Sequence, residues 1–169
     1  IKRLNRHKIY NLNLVNCYLS KTNLNYVTLK GANLNYANVS NSNLLDVNFK
    51  EARLNQTRFE NCNMNHASFK GSYANGAIFR DAYLIKTDFQ QAFLIKADFT
   101  NAFLMEADLR NAYLTNADFT NANLYKADFR GAKGIQIEQL SKAKTLYLAK
   151  FDDELQELVI ETLPDLAGG

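Results

Sequence analysis

The chain has 169 residues, 47% of them apolar, and a formal net charge of +3; that is enough apolar material for one packed domain and too much for a disordered tail. So mild a positive charge argues against a strongly acidic, DNA-imitating surface and falls short of a dedicated nucleic-acid binder. No run of about 18 apolar residues reads as a membrane span, and two cysteines are too few for a disulfide framework.

The chain opens on Ile1, which reads as a fragment, a processed form or a chain missing its start. Residues 1–11 hold Leu4 and Ile9 in phase with the apolar positions from Leu14 onward, but with Lys2 and His7 two places before them. They read as a degenerate first coil or an N-terminal cap.

From residue 12 to residue 132 the chain repeats every five residues. Of the 24 positions numbered in 4 or 9 between Leu14 and Phe129, 23 hold Leu, Phe, Val or Met, and the exception is Ala74. The residue two before each, from Cys17 to Ala127, is always Ala, Ser, Thr, Cys or Val. A helix cannot keep such pairs on one side, because five residues rotate it by about 140°. A flat strand cannot either, because an odd period flips faces at each repeat. The spacing of two inside each pair is strand-like, and the spacing of three to the next pair must hold a corner.

This run resembles the pentapeptide-repeat family, whose motif is roughly A-(D/N)-L/F-x-x. Ala97-Asp98-Phe99, Ala107-Asp108-Leu109 and Ala122-Asn123-Leu124 carry the match. The resemblance implies an all-β solenoid, a right-handed quadrilateral β-helix of about six coils with four pentapeptides in each. Sorting the central residues into four faces supports an even-sided coil. All eight central Phe fall on faces two (Leu19, Val39, Phe59, Phe79, Phe99, Phe119) and four (Leu29, Phe49, Phe69, Phe89, Leu109, Phe129). Faces one and three hold Leu, apart from Ala74 and Met64. At Ala74 the core is expected to be thin, with Phe79 or Tyr73 compensating or a small cavity remaining.

Residues 133–169 leave the repeat. Leu140, Ala143, Leu146 and Tyr147 recur at helical spacing, and Asp152 or Asp153 can cap a second helix carrying Leu155, Leu158, Val159 and Leu163, ended by Pro164. Two short amphipathic helices are expected to cover the last coil, as in cyanobacterial members of the family; a dimerising helix pair, giving a homodimer, is the alternative.

No arrangement of residues announces catalysis or a cofactor. His7 and His66 are far apart in coil order, Cys17 and Cys62 occupy small-residue slots on different faces, and the Asp at 88, 98, 108, 118 and 128 are repeat positions. No metal, no cofactor, no catalytic residue and no small-molecule substrate is expected. The outward positions say more. After the central residue, face four reads Lys30, Lys50, Lys70, Gln90, Arg110, Arg130, a basic column with Asp88, Asp108 and Asp128 beside it. Before the central residue, face one has Tyr73, Phe93 and Tyr113, and face three has Tyr83 and Phe103, with Ile85, Met105 and Tyr125 alongside. The aromatic positions read either as rings stacked between coils or as an apolar surface for a protein partner, and face three is the better candidate. The expected role is a non-enzymatic binding or scaffold module. A structural protein of the lumen of photosynthetic membranes is an alternative, as is a topoisomerase-protecting DNA mimic, which the +3 charge disfavours. The compartment stays open: the cytoplasm is slightly favoured, with an exported or thylakoid-lumenal protein as the alternatives.

Overall fold

In the computed structural model residues 11–168 are described, so the expected N-terminal coil or cap at residues 1–11 falls almost wholly outside the described residues. From Asn11 the chain winds into a four-sided coil. Single parallel bridges join each residue to the one twenty places on, as in Asn13 to Asn33, Tyr18 to Asn38, Asn23 to Asn43 and Asn63 to Tyr83. Each side is one bridge wide, so the described residues form four narrow sheets and hold no long strand.

Backbone hydrogen bonds show why the unit is five residues long. In the repeat centred on Leu34, Asn33 N–H donates down to Leu12 C=O (2.8 Å), Leu34 N–H donates up to Arg53 C=O (2.7 Å) and Tyr36 N–H up to Asn55 C=O (2.9 Å). Ala37 N–H closes the corner onto Leu34 C=O (3.0 Å). The residue two after each centre has φ near +60°, as at Asn41 (59°), Gln56 (54°) and Lys96 (58°). One donor per repeat remains, the N–H just after the centre. The Asn or Asp just before the centre takes it: Lys50 N–H on Asn48 Oδ1 (3.0 Å), Thr100 N–H on Asp98 Oδ1 (3.0 Å), Arg110 N–H on Asp108 Oδ1 (3.1 Å). The acidic or amide position of the motif is therefore a backbone acceptor.

The interior is a set of like-on-like columns. Phe59, Phe79, Phe99 and Phe119 stack on face two with centroids 5.3, 4.8 and 5.3 Å apart and rings within 7° of parallel. Phe49, Phe69 and Phe89 form the column of face four, meeting the first edge-on, as in Phe79 against Phe89 at 83°. All are fully buried, which stabilises by about 1.5–3 kcal/mol for each such side chain. Small residues two before each centre leave the room. At three of them the polar atom bonds a carbonyl of the coil below: Thr57 Oγ1 to Leu34 C=O (2.8 Å), Thr87 Oγ1 to Met64 C=O (3.0 Å), Cys62 Sγ to Val39 C=O (3.1 Å).

At Ala74 neither Phe79 nor Tyr73 fills the thin place. Phe79 stays in its own column and Tyr73 points outward, stacked on Phe93. Ser72, in the small slot of the same repeat, is fully buried and its hydroxyl has no partner.

The C-terminal segment also departs from expectation. Three short helices occur: α1 (Ile137–Leu140), α2 (Asp153–Thr162) and α3 (Pro164–Ala167). The expected first helix through Leu146 and Tyr147 stops at Leu140. Residues 143–151 instead build part of a seventh coil, bridging Asn123 to Thr145 and Asp128 to Lys150 at a spacing of 22 instead of 20. Ala149-Lys150-Phe151 is a full repeat unit, and Phe151 stacks on Phe129 at 5.2 Å. Leu146 and Tyr147 read as helical in the sequence because the repeat resumes two residues out of phase. α1 fills the missing side, and Gln139 donates its amide to Leu114 C=O (2.9 Å) and Ala117 C=O (2.8 Å). Asp152 precedes α2, but its carboxylate takes Gly131 N–H (3.0 Å) of the coil below and does not cap the helix. Pro164 opens α3 at its first turn, where a missing N–H costs nothing. Leu166 C=O then accepts Leu146 N–H (2.8 Å). The helices thus cover the edge a solenoid would otherwise expose.

Candidate functional site

With the interior filled by the repeat, chemistry is confined to the four walls. Faces one and three, on opposite sides, carry the aromatic residues picked out in the sequence. On face one Tyr73, Phe93 and Tyr113 stack at 4.9 and 4.6 Å, within 5° of parallel, and Lys133 Nζ lies 4.8 Å over the last ring. On face three Tyr83 and Phe103 stack at 4.9 Å and 6°. The rings rise along the axis like the coils themselves, so stacking between coils is real on both walls. It leaves Tyr73 and Tyr83 nearly half exposed, at 46% and 47%.

The walls differ beside the ladder. On face three the neighbouring outward column reads Ile85, Met105, Tyr125, all half-buried, and Tyr147 of the seventh coil continues it by stacking on Tyr125 at 5.8 Å. On face one the same column runs down from Thr115 and Ile95 to three asparagines, Asn75, Asn55 and Asn35. Their side chains climb the wall: Asn35 Oδ1 accepts Asn55 N–H (2.9 Å), Asn55 Oδ1 accepts Asn75 N–H (3.1 Å) and Asn75 Oδ1 accepts Ile95 N–H (3.0 Å). Asn65 Oδ1 does the same for Ile85 N–H (2.9 Å) on face three. An aromatic residue cannot accept the N–H that Asn or Asp would, and an Asn one coil below supplies the acceptor for Ile85 and Ile95. Tyr147 and this set of asparagines escaped the sequence reading. For Tyr73, Tyr83 and Phe93 the signal was there, as Asn twenty residues before the N–H that follows the ring.

Face four is basic in sequence and largely compensated in space. Arg110 donates to Asp108 through Nε (2.9 Å) and Nη2 (2.6 Å), and Arg130 holds Asp128 the same way (2.9 and 2.6 Å). Gln90 Nε2 donates to Asp108 (2.7 Å) and its Oε1 accepts Lys70 Nζ–H (3.0 Å), and Lys30 lies 3.3 Å from Glu51. Burial pushes the Asp108 carboxyl up, but its bonds from the Arg110 side chain and backbone and from Gln90 outweigh that and hold it below the usual range. Asp128 is lowered by its Arg130 side-chain bond against a smaller burial penalty. Lys50 and Lys70 rise from the half of this wall without an Asp ladder, next to Asn48 and Ser68.

His66 is exposed at a positive-φ corner (59°) and His7 lies outside the described residues. Burial pushes the Cys62 thiol up to about 12, the behaviour of a core residue. Among the described residues no group of three or more His, Cys, Asp and Glu could hold a metal, and no helix is long and apolar enough to cross a membrane.

A family model described as a pentapeptide repeat region matches residues 3–79, and one described as pentapeptide repeats (8 copies) matches residues 77–104 and 102–133. No curated protein matches the chain. Among solved structures, HetL from the cyanobacterium Nostoc sp. strain PCC 7120, a pentapeptide repeat protein involved in heterocyst differentiation regulation, is 24% identical with a TM-score of 0.66, covering 88% of this chain and 78% of its own. A pentapeptide repeat protein of the Arabidopsis thaliana thylakoid lumen is 26% identical (TM-score 0.46; 68% of this chain, 71% of that one). QnrB1, a plasmid-mediated fluoroquinolone resistance protein, is 18% identical (TM-score 0.37; 92% and 97%). The columns inside, the twenty-residue coil and the matched family models agree: this chain belongs to the pentapeptide-repeat family, and its fold is the family's right-handed quadrilateral β-helix.

Proposed function

We propose that this chain is a non-enzymatic binding module that holds a protein partner on face three. The observation that carries this reading is the pairing of two apolar columns on one flat wall: the Tyr83–Phe103 ladder beside Ile85, Met105 and Tyr125. Stacking accounts for the rings. It gives no reason for Ile85, Met105 and Tyr125 to continue as one half-buried apolar column where face one, beside its own rings, has Asn75, Ile95 and Thr115. Exposed apolar groups that adjoin, rimmed by polar corners such as Lys86 and Glu106 (3.6 Å apart), make an interaction surface. Arg110 and Arg130 are already held by carboxylates, which weighs against a nucleic-acid strip on face four. Solved structures with this fold come from settings as different as heterocyst differentiation regulation and fluoroquinolone resistance, so the wall residues and not the fold select the partner.

The test is a pair of wall variants. Phe103→Asn with Met105→Asn should abolish capture of the partner recovered by the unaltered chain from its native extract, at an unchanged melting temperature within a few degrees. Phe93→Asn with Tyr113→Asn on the opposite wall should leave capture intact. Equal capture by both double variants would overturn the assignment to face three. Light scattering of the purified chain separates a second copy from a different partner.

A further inference from the structure

We infer that face one carries, below its aromatic ladder, a saccharide-binding recess. The ladder ends at Tyr73. One face of that ring lies on Phe93 at 4.9 Å and 5°, and the other is turned along the axis toward the coils below. There the wall steps back. Tyr73 is followed downward by Arg53, Asn33 and Asn13 in the same outward column. At the adjacent corner Gly31 has no side chain, and a Cβ there would stand 2.7 Å from Asn11 Oδ1. The result is a recess of about 540 Å³ bounded by Tyr73, Arg53, Glu51, Asn33, Asn13 and Asn11 over a Gly31 floor. That volume is within the range of small-ligand sites, roughly 300–1,000 Å³.

Its lining chooses the ligand. There is one apolar element, a flat ring face, and everything else is a planar polar group. The oxygens of Asn33 and Asn13 are committed to Asn35 N–H (3.2 Å) and Val15 N–H (3.3 Å), so each amide is held in place and offers a ligand its NH₂. Arg53 is exposed and offers a two-pronged donor; Glu51, 3.3 Å from Lys30, is a charged acceptor. A purely aromatic ligand would satisfy Tyr73 and desolvate the rest without return. A polyanion would meet Glu51. A neutral pyranose answers both requirements. One face of its ring is a sheet of C–H bonds that lies on an aromatic face, and its rim of hydroxyls donates and accepts together. Vicinal hydroxyls match the fork of Arg53, and a third can take an amide proton while donating to Glu51.

The experiment is saturation-transfer NMR on the full chain with the methyl pyranosides of glucose, galactose, mannose and N-acetylglucosamine and their β-linked disaccharides at millimolar concentration. At least one should show transfer concentrated on the C–H protons of one ring face. Tyr73→Ala should weaken binding by about tenfold or more, Tyr73→Phe should retain it, and Lys96→Ala, at an exposed corner one coil above, should not change it. Asn33→Phe blocks the recess without touching the ladder, at an outward position equivalent to that of Phe93, and should abolish transfer even if Tyr73→Ala folds poorly. Absence of transfer from every sugar, or transfer that survives Asn33→Phe, overturns the inference.

Discussion

The lower coils, up to Lys70, and the upper coils, from Gly71 to Arg130, share one interior and present different exteriors. Below, the outward positions before each centre are mostly Asn, with Arg53, Arg58 and Tyr18 among them, and the small slots hold Cys, Thr, Val and Ser as well as Ala. Above, face four carries an Asp ladder bound by Arg, faces one and three carry stacked rings, and the small slots from Ala92 upward are all Ala. The difference teaches that the coil constrains two positions in five strictly and a third only through its hydrogen bond. At Tyr73, Tyr83 and Phe93 an Asn in the coil below supplies that bond to the N–H after the ring, and the third position carries a ring without losing it.

The comparison can be broken first from the inside. Phe99 is fully buried between Phe79 (4.8 Å) and Phe119 (5.3 Å), so Phe99→Ala should cost about 3–5 kcal/mol in denaturant unfolding. Val39→Ala, on the same face three coils down, should cost clearly less, because fewer buried methyl groups are lost. Equal losses would mean that the two halves do not share one packing rule.

The exchange of acceptors comes next. Asn65→Ala leaves Ile85 N–H without its acceptor and should cost about 1–2 kcal/mol. Adding Tyr83→Asn, which restores a local acceptor two residues before that N–H, should recover most of the loss in a double-mutant cycle. No recovery would show that the asparagine acts through something other than this bond.

Small slots give a change of opposite sign. Ser72 Oγ is buried without a partner, so Ser72→Ala should stabilise by up to about 1 kcal/mol. Thr57, whose hydroxyl reaches Leu34 C=O at 2.8 Å, should lose stability as Thr57→Val. Thermal melts of the two variants decide whether the slot itself or its hydrogen bond sets the sign.

The smallest effect is pH. Asp108 and Asp128 have lowered folded-state pKa values, so their contribution is fully present above the ordinary Asp value, about 4, and is lost as pH falls through the lower folded values. Both sit on partly exposed walls, which limits the effect to under about 1 kcal/mol each. Asp108→Asn should therefore flatten the fall in melting temperature below pH 4, and an unchanged fall would place the acid sensitivity elsewhere.

What the sequence made legible was the part governed by a short period. Leu34, Phe59 and Ala97 announce their burial by position alone, and the even-sided coil can be read from eight Phe in two columns. Charge compensation on face four was visible as Asp108 and Asp128 beside Arg110 and Arg130. Two things were hidden. Asn65 serves Ile85 across twenty residues, a relation that exists only once coil register is known. Leu146, Ala149 and Phe151 obey the repeat, but the two extra residues around α1 put them out of phase with it, and Leu146 and Tyr147 then read as helical with Leu140 and Ala143.

That slip has a consequence for how long such a molecule grows. Coils of equal length contain no instruction to stop, since each new edge matches the one before it. Between Lys133 and Thr145 the chain spends two residues more than the matching stretch below, seats α1 in place of a wall and brings α2 and α3 over the opening. Termination is therefore a local event, independent of how many coils precede it. Duplicating or deleting twenty residues anywhere below Lys133 would lengthen or shorten the column and leave its ending untouched, so gain of wall area need not be accompanied by any new way to close it.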